Sequence, residues 1–235
     1  LNEVIAAVVN QQSRLEVHPN NDVNFGQSSN DVVPSASLLA SAGALQHRLL
    51  PAIKNLQRAV QKIARNGKRT VKTGRTHLMD AMPVTVEQEW LAWSAQLSSA
   101  ISRFNDTAKR LQWLPLGGTA VGTGVNADPK AAMLACKALS KETGVRCVPA
   151  GNAFESMAGQ DHLVELSGQC NTLAVTLMKI ANDLRWMNSG PLTGLSELQL
   201  PALQPGSSIM PGKVNPVIPE AVAMVCAQVM GNHTT

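Results

Sequence analysis

"LVELSGQCNTLAVTLMKIANDLRWM", residues 163–187, decides the fold class. Leu163, Leu166, Cys170, Leu173, Leu177, Ile180, Leu184 and Met187 recur at alternating steps of three and four. That spacing makes one apolar stripe along a helix, with Glu165, Lys179, Asp183 and Arg185 on other faces. A helix this long and amphipathic is poorly satisfied alone. Near-parallel packing, in a bundle or against other subunits, is therefore expected.

Working outward, residues 32–65 read as a second long helix. Pro34 suits its first turn, and Pro51 in its middle predicts a kink or a break. Residues 85–112 read as a third, opened by "TVEQ", a capping-box pattern. Shorter helices are expected near 129–142 and 217–230, and "LNEVIAAVVN" reads as a helix already under way. Polar connectors at 17–31, 69–84, 115–127 and 188–216 separate these runs, and strand-like stretches such as 69–73 are short. The expected fold is mostly α: a long-helix bundle whose chemistry sits on loops. No internal repeat or low-complexity tract interrupts it.

At 235 residues the chain can bury a sizeable core, and its 44% hydrophobic and 15% charged content is that of a globular protein. No apolar run approaches the roughly eighteen residues a membrane span needs. A net charge of +4 is spread along the chain and aromatics are only 3%, which argues against a nucleic-acid stacking surface. It permits attraction to small acidic molecules. The four cysteines (Cys136, Cys147, Cys170, Cys226) form no C-x-x-C pair and read as buried free thiols of a cytoplasmic protein. "NHT" at Asn232 matches a glycosylation sequon, but no secretory signal accompanies it. Both ends look cut.

Three loops could carry chemistry. In "VHPNNDVNFGQSSND", residues 17–31, His18, Asn20, Asn21, Asn24, Gln27, Ser28, Ser29 and Asn30 crowd together. Helix capping by Ser28 to Asp31 accounts for about half of them. The remainder make a set of neutral donors at a helix N-terminus, which suits a carboxylate. In "KTGRTHLMDAMPVT", residues 72–85, His77 sits between Arg75 and Asp80. A lone histidine is commonly structural, but this one lies in a polar loop just before a long helix. In "GSSIMPGKVNPVIPE", residues 206–220, Lys213 is a cation restrained by Pro211, Gly212 and Pro216, with Asn215 beside it. Ser207 and Ser208 follow a glycine hinge at Gly206, and Glu220 opens the last helix. A proline-rich connector would explain the prolines and glycines and leave the serines, lysine and asparagine without a reason.

Nucleotide readings fail. "LGGTAVGTG", residues 116–124, has no preceding strand and no dinucleotide fingerprint. Gly206 to Lys213 has the wrong spacing for a phosphate loop, and Val214 stands where Ser or Thr is needed. No His/Cys/Asp/Glu spacing suggests a metal.

Together, "GSSIMPGKVNP", "HPNNDVNFGQSSND", "TGRTHLMDAMPVT", "GGTAVGTGVN" and "KIANDLRWMNSGPLTGLSELQLP" resemble the fumarase/aspartase superfamily, specifically its class II fumarases, over essentially the whole chain. The resemblance implies a homotetramer whose active sites each take loops from three subunits. It implies reversible hydration of fumarate to L-malate without metal or organic cofactor. By matching motif, Ser28, Ser29, Asn30 and Thr76 bind substrate, and His77 is the acid/base group acting with water, oriented by Glu220. Ser207 removes the carbon-bound proton with Ser208 beside it, and Lys213 and Asn215 hold the adjacent carboxylate. His18, Asn20 and Asn21 match a secondary dicarboxylate site, although the family commonly has Asp where Asn21 stands.

The resemblance also implies a missing upstream Ser-Gly-Thr loop and a missing C-terminal domain. The chain is then the central part, 1–235, of a longer lyase, with little activity by itself. The nearest alternative is aspartate ammonia-lyase, whose motifs more usually read "QSTND" and "MPAKVNP"; "GNHTT" and "CVPA" lean towards it. An alternative of another class is a catalytically silent helical assembly module, which the seam fits but the Ser-Ser, Lys, Asn and His set does not.

Overall fold

The computed structural model describes residues 1–235. In chain order the helices are α1 (Asn2–Gln12), α2 (Ser29–Ala44), α3 (Leu50–Asn66), α4 (Val86–Leu111), α5 (Ala131–Thr143), α6 (Ala153–Ala158), α7 (Asp161–Met187) and α8 (Val217–Thr234). Two π-helical turns, Pro19–Val23 and Leu45–Leu49, precede α2 and α3. The strands are few: β1 (Val71–Thr76), β2 (Met79–Thr85), β3 (Trp113–Leu114) and β4 (Val148–Pro149). The mostly α expectation holds. No helix is long and apolar enough to cross a membrane.

The chain divides into two units, Leu1–Pro51 with Asn105–Leu163, and Ala52–Phe104 with Val164–Thr235. In the first unit, Leu38, Ala42 and Leu45 repeat at helical spacing and are buried, as are Leu111, Leu114, Cys136, Val145 and Cys147. The parallel β3–β4 bridge pairs Trp113 with Val148 and Leu114 with Pro149. Helix α2 starts earlier than the expected residue 32. Ser28 Oγ accepts from Asn30 N at 3.1 Å and Asp31 Oδ1 from Ser28 N at 3.0 Å, a capping box that begins the helix at Ser29. Pro34 thus lies inside the helix instead of in its first turn. Pro51 does not break the helix, since helical residues continue from Ser29 to Asn66; a widened π turn just before it gives room for a ring that would clash with a carbonyl one turn back.

In the second unit, Trp90, Trp93, Leu97, Ala100 and Phe104 alternate steps of three and four along α4, all buried. Ile53, Val60 and Ala64 of α3 and Cys226 of α8 are buried in the same unit. The Trp90 and Trp93 rings meet with centroids 4.8 Å apart. Thr85 Oγ1 accepts from Gln88 N at 3.2 Å and Gln88 Oε1 from Thr85 N at 2.9 Å, the reciprocal cap expected of "TVEQ".

Along the α7 seam, Leu173, Ile180 and Met187 are buried at seven-residue spacing, beside Ala174 and Ala181. Leu166, Cys170, Leu177 and Leu184 remain half-buried. The chain itself covers one edge of the stripe.

The 69–84 connector is more ordered than a loop. β1 and β2 form an antiparallel hairpin with a bulge between Thr73 and Arg75 and a two-residue turn at His77 and Leu78. Both turn residues have positive φ, 54° and 62°, the type I′ geometry that matches strand twist. Neither is the Asn or Gly such a turn ordinarily carries, so its usual signal is missing from the sequence. Gly74 is required at the bulge, since a Cβ there would lie 2.6 Å from the Met82 carbonyl.

All four cysteines are free; Cys136, Cys147 and Cys226 are buried and Cys170 is half-buried. Burial pushes the Cys136 thiol up to about 11.

Candidate active site

The first unit gathers one group of the expected residues. A cavity of about 670 Å³ is lined by Asn20, Asn21, Ser28, Thr119 and Asn126 among others. His18 does not line it. Its Nδ1 accepts from Asn20 N and Asn21 N, each at 3.2 Å, capping the first π turn, so in the neutral ring the proton resides on Nε2. Ser28 spends its oxygen on the α2 cap, and Asn30 Nδ2 donates to the Ala120 carbonyl at 2.8 Å. Ser29 is exposed at the first turn of α2.

Asp31 holds this arrangement together, a role the sequence reading assigned only to capping. It is fully buried, and its Oδ2 accepts from Gly117 N at 2.9 Å and Thr119 N at 3.1 Å. One carboxylate therefore joins the start of α2 to the "LGGTAVGTG" loop. Glycines in that loop serve packing: a Cβ at Gly117 would meet Ala132 at 2.5 Å, and one at Gly122 the Phe154 ring at 2.9 Å. Thr119, with φ of 56°, is buried and its Oγ1 has no hydrogen-bond partner. An oxygen of this kind beside an open cavity is available to a polar ligand.

The second unit gathers the other group. A cavity of about 390 Å³ is lined by Lys213, Asn215 and Glu220 together with Asn182, Arg185 and Asn188 from the end of α7. Two cations and several amides face one small space, which suits an anion with two acceptor oxygens. The loop before it folds back through consecutive turns: Met210 N donates to Ser207 O and Lys213 N to Met210 O, each at 3.2 Å. A Cβ at Gly206 would come within 2.9 Å of the Lys213 carbonyl, so only glycine permits this return. Ser207 Oγ accepts from Ile209 N at 3.2 Å, and Ser207 and Ser208 are exposed. Neither serine lines the cavity, nor does His77, which stands exposed at the hairpin turn with Thr76. The Glu220 carboxyl and the His77 ring are not hydrogen-bonded to each other within the chain; the Glu220 N–H donates to the Pro216 carbonyl at 3.2 Å.

A cluster of four charges lies under the hairpin. Lys72 Nζ contacts Glu89 Oε2 at 2.9 Å and Glu197 Oε2 at 2.8 Å, and Arg75 Nη1 donates to Glu197 Oε1 at 2.6 Å. The Lys72 contact with Glu197 Oε2 is an ion pair without the alignment of a hydrogen bond, whereas Lys72 donates a hydrogen bond to Glu89 Oε2. Burial works against the charge on Glu197, yet Lys72 and Arg75 outweigh it and hold the carboxyl below its usual range. The same balance holds Lys72 above its usual range: burial lowers it, and the two glutamates more than compensate. Sequence reading missed this cluster. Its only signal was Glu197 itself, the single acidic residue between Asp183 and Glu220.

A family model described as Lyase matches residues 1–231. The chain is 64% identical over 233 residues to a class II fumarate hydratase of Xylella fastidiosa, covering 99% of this chain and 49% of that protein. It is 51% identical over 232 residues to one from Mycobacterium tuberculosis, covering 98% and 49%. Among solved structures, a class II fumarase from Schistosoma mansoni superposes with a TM-score of 0.94 at 39% identity, covering 100% of this chain and 53% of the other. A structure titled fumarate lyase:delta crystallin from Brucella melitensis gives 0.90 at 43%, covering 99% and 52%. The chain thus spans about half the length of the relatives it matches. It belongs to the lyase family, and within that family its sequence and fold are those shared by class II fumarases.

Proposed function

We propose that this chain is the central part of a class II fumarate hydratase, which adds water reversibly across fumarate to give L-malate. The observation that carries the reading is the cavity where Lys213 and Asn215 meet Arg185 at the end of α7. Removing a proton from the carbon beside a carboxylate produces an aci-carboxylate dianion. Fixed cations and amide donors placed where that charge develops lower its cost by several kcal/mol, on the order of 3–4 for one such donor.

In the malate-to-fumarate direction, Ser207 takes the carbon-bound proton and Lys213 with Asn215 receives the growing charge on the adjacent carboxylate. Serine is a weak base at its ordinary pKa, so Ser207 works only once its exposed loop closes and excludes water. His77, acting through water and oriented by Glu220, protonates the departing hydroxyl. Ser28, Ser29, Asn30, Thr76 and Ser208 hold the substrate. His18, Asn20 and Asn21 make a secondary dicarboxylate site. Since Lys213 and His77 occupy no common cavity within the chain, the complete site is assembled in a homotetramer from loops of three subunits. The accessible half of the α7 seam supports that assembly, and the four free thiols support a cytoplasmic setting.

The test uses the full-length parent protein given fumarate with and without ammonium, following loss of fumarate's ultraviolet absorbance. Loss without ammonium is expected. Loss only with ammonium would establish the ammonia-lyase alternative, which the similar fumarate hydratases disfavour, and no loss in either would favour the silent module. The 235-residue chain alone is expected to show little or no turnover.

A further inference from the structure

We propose that Glu197 is a positioning residue for the hydration reaction, locking the hairpin that carries His77 to the end of α7 that lines the Lys213 cavity. The inference rests on the function proposed above.

A two-stranded hairpin is marginally stable unless something holds it. This one buries little apolar surface of its own: Val71, Leu78, Met79 and Met82 are all exposed. Its fixings are ionic instead. Lys72 and Arg75 are three apart, and in a regular strand they would point to opposite faces. The bulge between Thr73 and Arg75 resets that alternation, so that both cations reach the same carboxylate. Arg75 stands two residues from His77, so the second contact acts close to the turn.

Glu197 is itself held firmly. Its N–H donates to the Met187 carbonyl at 2.8 Å, and the Leu198 N–H reaches the same carbonyl at 3.2 Å. Ser196, with φ of 49°, donates to Ser189 O at 2.9 Å. These bonds satisfy the last carbonyl of α7 and one just beyond it, next to the stretch whose Asn182, Arg185 and Asn188 line the cavity. One side chain therefore links the acid/base hairpin to the carboxylate-binding end of the unit. Glu89 pairs with Lys72 and makes no ion pair with Arg75.

The experiment compares wild type, Glu197→Gln, Glu197→Asp and Glu89→Gln in the full-length parent, by steady-state fumarate hydration and by amide hydrogen exchange. For Glu197→Gln, kcat should fall by about tenfold to a hundredfold, the scale of an ångström-sized misplacement. KM should rise by a smaller factor than kcat falls, because Thr76 on the same hairpin also holds the substrate while the Lys213 cavity is untouched. Exchange should quicken at 71–85 while the buried turns of α4 keep their protection. Glu197→Asp keeps the charge and should recover part of kcat; Glu89→Gln should lose less than Glu197→Gln. An active wild type with unchanged kcat and unchanged hairpin exchange in Glu197→Gln overturns the inference and leaves the function standing. So does a loss of activity that tracks global loss of protection. A wild type that does not hydrate fumarate removes the function itself.

Discussion

Asp31→Asn is the sharpest probe of how the first unit is built. The substitution keeps shape and volume, so no cavity opens, and it changes only what the buried group can accept. Three backbone N–H groups now converge on the carboxylate, from Ser28, Gly117 and Thr119, at 3.0, 2.9 and 3.1 Å. Hydrogen bonds to a charged partner contribute about 1.5–3 kcal/mol each, roughly twice the neutral value. With an amide in place, its NH2 must face at least one of these donors and leave it unsatisfied, at about 1–3 kcal/mol. The remaining bonds lose their charge assistance, about 1 kcal/mol each. The sum is about 3–5 kcal/mol, a large part of a stability that ordinarily lies at about 5–15 kcal/mol.

Urea unfolding of the full-length parent, followed by circular dichroism, should show the midpoint falling by about 1.5–2.5 M for a slope of about 2 kcal/mol per molar. The "LGGTAVGTG" loop should lose exchange protection first, because two of the three bonds end there. A destabilisation below about 1 kcal/mol would refute the reasoning, since a fully buried carboxylate with three donors cannot be replaced so cheaply.

Two further outcomes follow from the second unit. Lys213→Met should lower kcat/KM for fumarate hydration by about a hundredfold or more while unfolding stays within about 0.5 kcal/mol, because the side chain is exposed and its contribution is to developing charge; parallel kinetics and thermal melts check this. Leu78→Asn should raise stability by about 0.5–1 kcal/mol, since a leucine held at φ of 62° and left 66% exposed pays the left-handed cost with little burial in return, and asparagine tolerates that conformation; an unchanged or lowered melting temperature would show that the turn is not strained.

Periodicity and local chemistry were enough to locate the α7 and α4 helices, the "TVEQ" cap, the irregular turn near Pro51 and the two loops whose polar residues line cavities. These are features of neighbouring residues, and short-range spacing expresses them directly. Where sequence reading fell short, the deciding contact was distant in the chain. The ordering of the "LGGTAVGTG" loop depends on Asp31 meeting Gly117 and Thr119, 86 and 88 positions away. The His77 hairpin rests on Glu197, whose partner Arg75 is 122 residues distant. Its turn uses His and Leu at positive φ, a conformation that local preference disfavours and the surrounding structure imposes. Composition and spacing by themselves determined a mostly helical chain with polar loops whose donors suit an anion. Only the tertiary structure decided which of those loop residues share a cavity and which charges hold them there, because burial lets a few ionic contacts between remote segments outweigh the preferences of the segments themselves.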